Sequence, residues 1–249
     1  MGRYLPLLLL ICLWQLLCSL GFFPSYVLPS PIEIINAFQA LLTIGMPPGH
    51  LLYNHVLYSL YRVGLGFSLA CVLGIPLGLL MGWFPQFYRL FSPIIELVRP
   101  IPPLAWIPIA IVWLGIGIRS AVFIIFLGAF FPVLLNTASG VLSINPILVD
   151  AAKTLNATQK DIFFKVLVPG SLPSIFVGMR IGMGVAWMTL VAAEFTGVKE
   201  GYGLGFMIMT ARDIQRPDEI LAGMCIIGMI GFTIDWLLRR WESSIKPWE

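Results

Sequence analysis

Apolar residues occupy this chain in long blocks, and polar residues are confined to short stretches between them. Blocks of about twenty apolar residues are long enough to cross a bilayer as helices. They fall near 5–23, 56–82, 87–115, 119–142, 172–197 and 219–238. The pattern predicts an all-α integral membrane protein with about six transmembrane helices, organised as one transmembrane domain over 1–249. Arg3 ahead of the first block suggests a signal peptide, yet no small-x-small cleavage site follows. Leu17 precedes Cys18 where a lipoprotein site needs a small residue, so the block at 5–23 is read as an uncleaved first span.

Local patterns refine the blocks. Segment 24–55 is a connector in which Ser30 caps a helix that has Pro31 at its first position. Ile34, Ile35, Phe38, Leu41 and Leu42 then space residues 32–44 as an amphipathic interfacial helix, which Met46-Pro-Pro-Gly49 breaks. Spans two to four fall within 56–142. Gly66, Ala70, Gly74, Gly78 and Gly82 put a small residue at every fourth position of the second span. Gly178, Gly182 and Ala186 repeat the device in the fifth, and such stripes admit a close neighbouring helix. The third span carries Pro100, Pro102, Pro103 and Pro108, which lack backbone donors, so it cannot be one straight helix. Irregular backbone at membrane depth is tolerated only where it is buried in protein or lines a cavity. Residues 99–108 are therefore either part of a translocation pathway or gate, or a kinked helix packed against its neighbours.

The loop at 143–170, ahead of spans five and six at 171–238, holds a polar, helix-forming island. Asn145 is a cap acceptor with Pro146 at the first helical position. The first helix ends near Leu155, and Asn156 is a residue type that tolerates the left-handed conformation ending helices. Thr158 and Asp161 form a capping signal before Ile162-Phe163-Phe164, and Pro169 is expected to stop the second helix.

Charge sets the side. With 59% hydrophobic and 11% charged residues and a mean hydropathy of +0.93, a soluble domain is excluded, because soluble chains carry about a quarter charged residues. Six spans put both termini on one side. Arg3, Arg89, Lys153, Lys160, Lys165, Arg239, Arg240 and Lys246 then fall on the terminal side, against Arg119, Lys199, Arg212 and Arg216 on the other. The excess predicts cytoplasmic termini and a cytoplasmic island. The net charge of +3 thus reflects topology and gives no sign of nucleic-acid binding.

Candidate chemistry is sparse. Arg62, Glu96, Arg99, Arg180, Glu194 and Asp235 lie inside spans, where an ionisable residue is suspect by default. Arg62, Arg180, Glu194 and Asp235 fall within about two turns of a span end and are expected to snorkel. Glu96 and Arg99, three apart on one face, are expected to neutralise each other. Cys12, Cys18, Cys71 and Cys225 sit in apolar spans and read as buried packing residues. His50 and His55, five apart without acidic neighbours, do not make a zinc site, and no metal site is expected. Gly201-Tyr-Gly203-Leu-Gly205 reads as turn formers in an outer loop, since no strand precedes it and no Lys-Ser/Thr follows. No nucleotide, triad or metal constellation appears, and positive charge in the spans is not in excess.

The island resembles the cytoplasmic "EAA" loop of ABC importer permeases: Glu-Ala-Ala, three residues, Gly, nine residues, then Ile-x-Leu-Pro. Asp150, Ala151 and Ala152 take the first places, Asn156 the glycine, Val166 the isoleucine and Val168-Pro169 the end. The spacing matches, with Asp, Asn and two Val as departures. Glu96–Pro108, Leu127–Pro132 and Gly182–Glu194 further resemble the permeases for nitrate, taurine, aliphatic sulfonates and bicarbonate, over roughly Leu51 to the C-terminus.

That resemblance implies the type I ABC importer permease fold with a cytoplasmic coupling helix, in the bacterial plasma (inner) membrane. It implies a non-catalytic subunit without its own cofactor, ATP and Mg being bound by two cytoplasmic ABC ATPase subunits. Further implied partners are a second permease copy, simplest as a homodimer, a periplasmic or lipid-anchored substrate-binding protein, and membrane lipid. Asp150, Ala151, Ala152, Leu155, Asn156, Ala157, Thr158, Asp161, Phe163 and Phe164 become the candidate ATPase-coupling residues. Glu96, Arg99, Pro102, Pro103, Trp106, Trp187 and Glu194 become candidates for the pathway or gate. The implied substrate is a small oxyanion or zwitterion, sulfonate or taurine ahead of nitrate or bicarbonate. The alternative from another class, an ion-coupled secondary transporter subunit, needs an unpaired ionisable residue at mid-membrane.

Overall fold

The computed structural model describes residues 5–195 and 202–245; Arg3, Lys199, Gly201 and Lys246 lie outside them. In chain order the helices are α1 (Leu5–Ser19), α2 (Pro31–Thr43), α3 (Leu52–Trp83), α4 (Pro85–Val98), α5 (Ile107–Leu114), α6 (Ile118–Leu142), α7 (Pro146–Thr154), α8 (Gln159–Ile162), α9 (Val168–Phe195), α10 (Leu204–Asp213) and α11 (Pro217–Ile245). Residues up to Leu60 with Glu194–Ile230 make one compact unit, and Tyr61–Ala193 with the chain from Gly231 make a second.

The second unit is built around α6. Half of its most apolar stretch is buried, against 28% in α3 and 17% in α11, which marks α6 as the central helix. The small-residue stripes explain how α3 and α9 reach it. A Cβ on Gly78 would stand 2.7 Å from the Leu134 carbonyl oxygen, and one on Gly82 would stand 2.5 Å from Val141 Cβ. On the other flank a Cβ on Gly178 would stand 2.8 Å from Asn136 Cβ, and one on Gly182 would stand 3.0 Å from the Ala129 oxygen. Side chains at these positions would push the helices apart, so the stripes are packing surfaces.

The third apolar block is broken. Pro85–Val98 and Pro103–Leu114 meet at 84°. Pro100, Pro102 and Pro103 fall at the break and withhold donors there, and a single turn of tighter helix, Pro103–Trp106, leads into α5. Pro108 is the exception among the four prolines. It lies in the first turn of α5, where a missing N–H costs little.

Several boundaries differ from the sequence reading. The described residues contain four helices long and apolar enough to cross a membrane, and the broken pair makes a fifth. The first block, expected over 5–23, is helical only through Ser19, 15 residues. Gly21 at φ 76° ends it, with Phe22 N–H bonded to the Leu17 oxygen and Gly21 N–H to the Cys18 oxygen. Pro169 does not stop the second helix of the island: the chain stays helical from Gln159 to Phe195. A wide π-turn over Phe163–Leu167, in which Val168 N–H donates to the Phe163 oxygen, opens the backbone ahead of the proline ring. The loop expected on the outer side from its sequence contains α10, which its glycines had hidden.

In the first unit α2 begins as the sequence predicts. Ser30 accepts from Glu33 N–H at 3.3 Å, and Glu33 accepts from Ser30 N–H at 2.6 Å. Two further expectations fail. Cys12 and Cys225 are exposed on apolar helices, and only Cys18 and Cys71 are half-buried. Arg62 and Glu194 are fully buried and do not snorkel. Arg180 does not either: it pairs with Glu242 at 2.8 Å.

Candidate functional site

The polar island folds as a capped corner. Asn145 accepts from Ile147 N–H at 3.0 Å and starts α7. At its end Asn156 stands at φ 64°, its N–H bonded to the Lys153 oxygen. Thr158 and Asp161 then exchange backbone-to-side-chain bonds at 3.2 Å each and start α8. The inner side of the corner is apolar. Ile162 and Leu167 are buried against Val141, and Val149, Ala152, Ala157 and Phe163 pack on them with Trp83 of α3.

This geometry sorts the candidate coupling residues. Ala152, Ala157 and Phe163 face the protein's own core, while Asp150, Ala151, Leu155, Asn156, Thr158 and Phe164 are exposed, with Asp161 half-buried. Asp150 is paired with Lys153 at 3.1 Å and Asp161 with Lys165 at 2.6 Å. Leu155 is 83% exposed and Phe164 66%, and Ile147 and Leu148 of the same corner, which the sequence reading overlooked, are exposed too. Their signal was present: apolar residues in the first turn of a helix outside the spans. An exposed apolar patch on an ordered polar corner marks an interaction surface.

The second site is the break between α4 and α5. A cavity of about 330 Å³ is lined by Arg99, Pro103, Trp106, Gly128, Pro132 and Asn136, among others. A neighbouring one of about 420 Å³ is lined by Glu96, Ser92, Arg99 and Pro100. Arg99 borders both. Glu96 does not neutralise it: the Glu96 carboxyl accepts from Ser92 Oγ at 2.9 Å, and no described carboxylate lies in ion-pair reach of Arg99. One turn of helix separates Ser92 from Glu96, and the hydroxyl there competes successfully for the carboxyl. Four of the pathway candidates, Glu96, Arg99, Pro103 and Trp106, thus come together, with Pro102 at the start of the tight turn. Trp187 does not join them; it is buried, with its indole against Gly231. Gly128 and Asn136 were missed, although a polar Asn four residues after a proline inside an apolar block was a usable cue.

Glu194 belongs to a buried polar knot in the first unit. Its carboxyl accepts from Ser59 Oγ at 2.8 Å and from Gly205 N–H at 2.9 Å, and Ser59 Oγ accepts from Leu204 N–H at 2.9 Å. Together they satisfy amides at the start of α10 that a helix leaves without internal partners. Gly203 precedes it at φ 149°, where a Cβ would stand 2.6 Å from the Glu194 carboxyl carbon. His55 is buried beside them, its Nδ1 3.0 Å from the Gly203 nitrogen and its Nε2 3.2 Å from the His50 oxygen. The bonds that join Ser59 to Glu194 and Leu204, and His55 to Gly203, link residues 135 to 148 apart, which no local pattern reveals.

Long apolar helices around a close-packed centre, a broken span beside a cavity and a capped polar corner define a polytopic membrane protein of the transporter class. Residues 74–247 match the model of the family described as "Binding-protein-dependent transport system inner membrane component", and the chain belongs to that family. It is 44% identical over 244 residues to a putative ABC transporter permease protein of Methanocaldococcus jannaschii, covering 96% of this chain and 89% of that one. It is 38% identical over 245 residues to the taurine transport system permease protein TauC of Escherichia coli K12, covering 97% and 87%. The fold is similar to that of an inward-facing MetNI methionine ABC transporter chain, with a TM-score of 0.69 at 22% identity over 78% of this chain and 95% of that one. The chain is accordingly a multi-pass inner-membrane permease component of an ABC importer. It is non-catalytic and carries no cofactor; ATP hydrolysis and substrate capture belong to its partners.

Proposed function

We propose that this permease imports a small oxyanion or zwitterion, with taurine or another sulfonate ahead of nitrate or bicarbonate. Two copies form a homodimer, since twofold assembly is the commonest way for one kind of chain to enclose a path. The C-terminus and the corner at Asn145–Leu167 face the cytoplasm, as does the N-terminus if the 15-residue α1 crosses as a sixth span; two ATPase subunits dock at the corner, and a binding protein delivers substrate on the other side. The observation that carries this reading is the corner itself. Its outer face presents Leu155 and Phe164 to a partner, and its inner face is locked to α3 and α6 through Val149, Ala152 and Phe163. Closure of the ATPases would move the corner as a rigid body, and the helices packed on it would follow.

The ion-coupled alternative is weaker. Glu194 caps a helix, which leaves Glu96, engaged only by the Ser92 hydroxyl among the described residues, as a candidate for the mid-membrane carboxylate that such coupling needs, and the family match supports an ATP-driven importer instead. Reconstitution with the partner ATPase and a loaded binding protein tests the reading. Uptake of labelled taurine should require ATP and ignore an imposed proton gradient. Gradient-driven uptake without ATP would overturn it.

A further inference from the structure

Resting on the importer reading, we propose that the cavity at the α4–α5 break is a passing site for a small zwitterion, with its anionic oxygens on Arg99 and its ammonium group on Asn136 and Gly128. Two kinds of polar group meet there. Arg99 supplies a planar fork of donors suited to carboxylate- or sulfonate-like oxygens, and no carboxylate is among the cavity's lining residues. The opposite chemistry comes from α6. Asn136 Nδ2 donates to the Pro132 oxygen at 2.8 Å, and because that oxygen can only accept, the amide orientation is fixed. Asn136 Oδ1 is therefore left as an acceptor. Pro132 has no N–H to give to the Gly128 carbonyl four residues earlier, so a second acceptor arises on the same helix. Gly128, Pro132 and Asn136 all line the cavity that Arg99 lines.

An anion alone would use only half of this arrangement, and a cation alone would face Arg99. Both ends of a zwitterion find partners. The remaining lining, with Ile101, Phe131 and Ile181, is apolar and offers nothing to hold a ligand tightly, which suits a site that must release as well as receive.

The test is equilibrium binding of labelled taurine to the purified permease–ATPase complex in lipid nanodiscs, without binding protein, with ethanesulfonate (no amine) and ethylamine (no anion) as competitors. Arg99→Gln should weaken taurine binding at least tenfold, and Arg99→Lys should weaken it less, because the charge remains. Asn136→Leu should weaken taurine several-fold while leaving competition by ethanesulfonate as in the wild type, a split that general misfolding would not produce. Melting temperature and monodispersity identify variants that have lost the fold. Absence of taurine binding to the wild-type complex, undiminished binding to Arg99→Gln, or equal losses of taurine and ethanesulfonate in Asn136→Leu would each overturn the site. The importer reading fails separately, when the wild type shows no ATP-dependent uptake of taurine, other sulfonates or nitrate.

Discussion

Ala157 donates its N–H to the Ala152 carbonyl at 3.0 Å, five residues back, and both methyl groups rest on the buried cluster of Val141, Ile162 and Leu167. The bond closes the corner from inside. It forms only if the residue between, Asn156, turns left-handed, as it does at φ 64°. The direction in which α7 leaves the membrane helices thus depends on one backbone angle.

Backbone conformation, rather than amide chemistry, should then decide what is tolerated at Asn156. Asn156→Gly should be neutral or slightly favourable, because Gly adopts this conformation freely. Asn156→Val should introduce strain of order 1–3 kcal/mol, since a β-branched residue at positive φ is a true outlier. The Val variant should insert and assemble but capture less ATPase in pull-down and lose most uptake. Equal behaviour of the two variants would end the corner model.

Close packing of α3 on α6 makes glycine positions on one helix unequal. Gly78→Ala should cost about 1–3 kcal/mol through overpacking, because the new carbon would meet the Leu134 oxygen at 2.7 Å. Gly64 on the same helix has open space around it, so Gly64→Ala should be neutral or stabilising by up to about 1 kcal/mol from helix propensity. Thermal unfolding in nanodiscs, followed by tryptophan fluorescence, would separate them. Similar melting temperatures would argue against the stripe as the contact surface.

The polar knot makes a second stability prediction. Glu194→Ala removes the acceptor for both Ser59 Oγ and Gly205 N–H, and a buried group left unsatisfied costs about 1–3 kcal/mol. Glu194→Gln keeps an oxygen for Gly205 and should lose less. Gly203→Ala should be harmful on two grounds, its φ of 149° and the 2.6 Å approach to Glu194. Protease cleavage near α10 should increase in the order Gln, then Ala, and a Gln variant as labile as Ala would show that the oxygen is not what holds the helix.

How much of this was legible in the sequence follows the range of each signal. Caps at Ser30, Asn145 and Thr158 and the turn at Asn156 are decided within four residues, and all were readable. The stripe from Gly66 to Gly82 was readable because its period is that of the helix. The prolines announced a break, but not its 84° bend; α5 packs through Ala110 on Ala121 and Ile124 of the next helix and on Ala193, which is far from it in sequence. Glu194 sits next to the span end by count, and only its bond to Ser59, 135 residues away, shows that it is buried. Pro169 misled because the π-turn over Phe163–Leu167, just ahead of it, absorbs the ring, and no residue type there signals it.

Sidedness is the last prediction, and it bears on the coupling reading most directly. In a cysteine-free background, a single cysteine at Lys153 should react with an impermeant maleimide only from the cytoplasmic side, and one at Arg212 only from the opposite side. Both side chains are exposed, at 53% and 60%, so access is not limited by the protein itself. The expectation rests on the excess of basic residues on the island's side of the spans. By the span assignment made from the sequence, Arg89, Lys153, Lys160, Lys165, Arg239 and Arg240 fall on the island's side against Arg119, Arg212 and Arg216 on the other, so the excess persists when only described residues are counted. Labelling of Lys153→Cys from outside would place Leu155 and Phe164 where no cytoplasmic ATPase can reach them, and the docking role of the corner would fall with it.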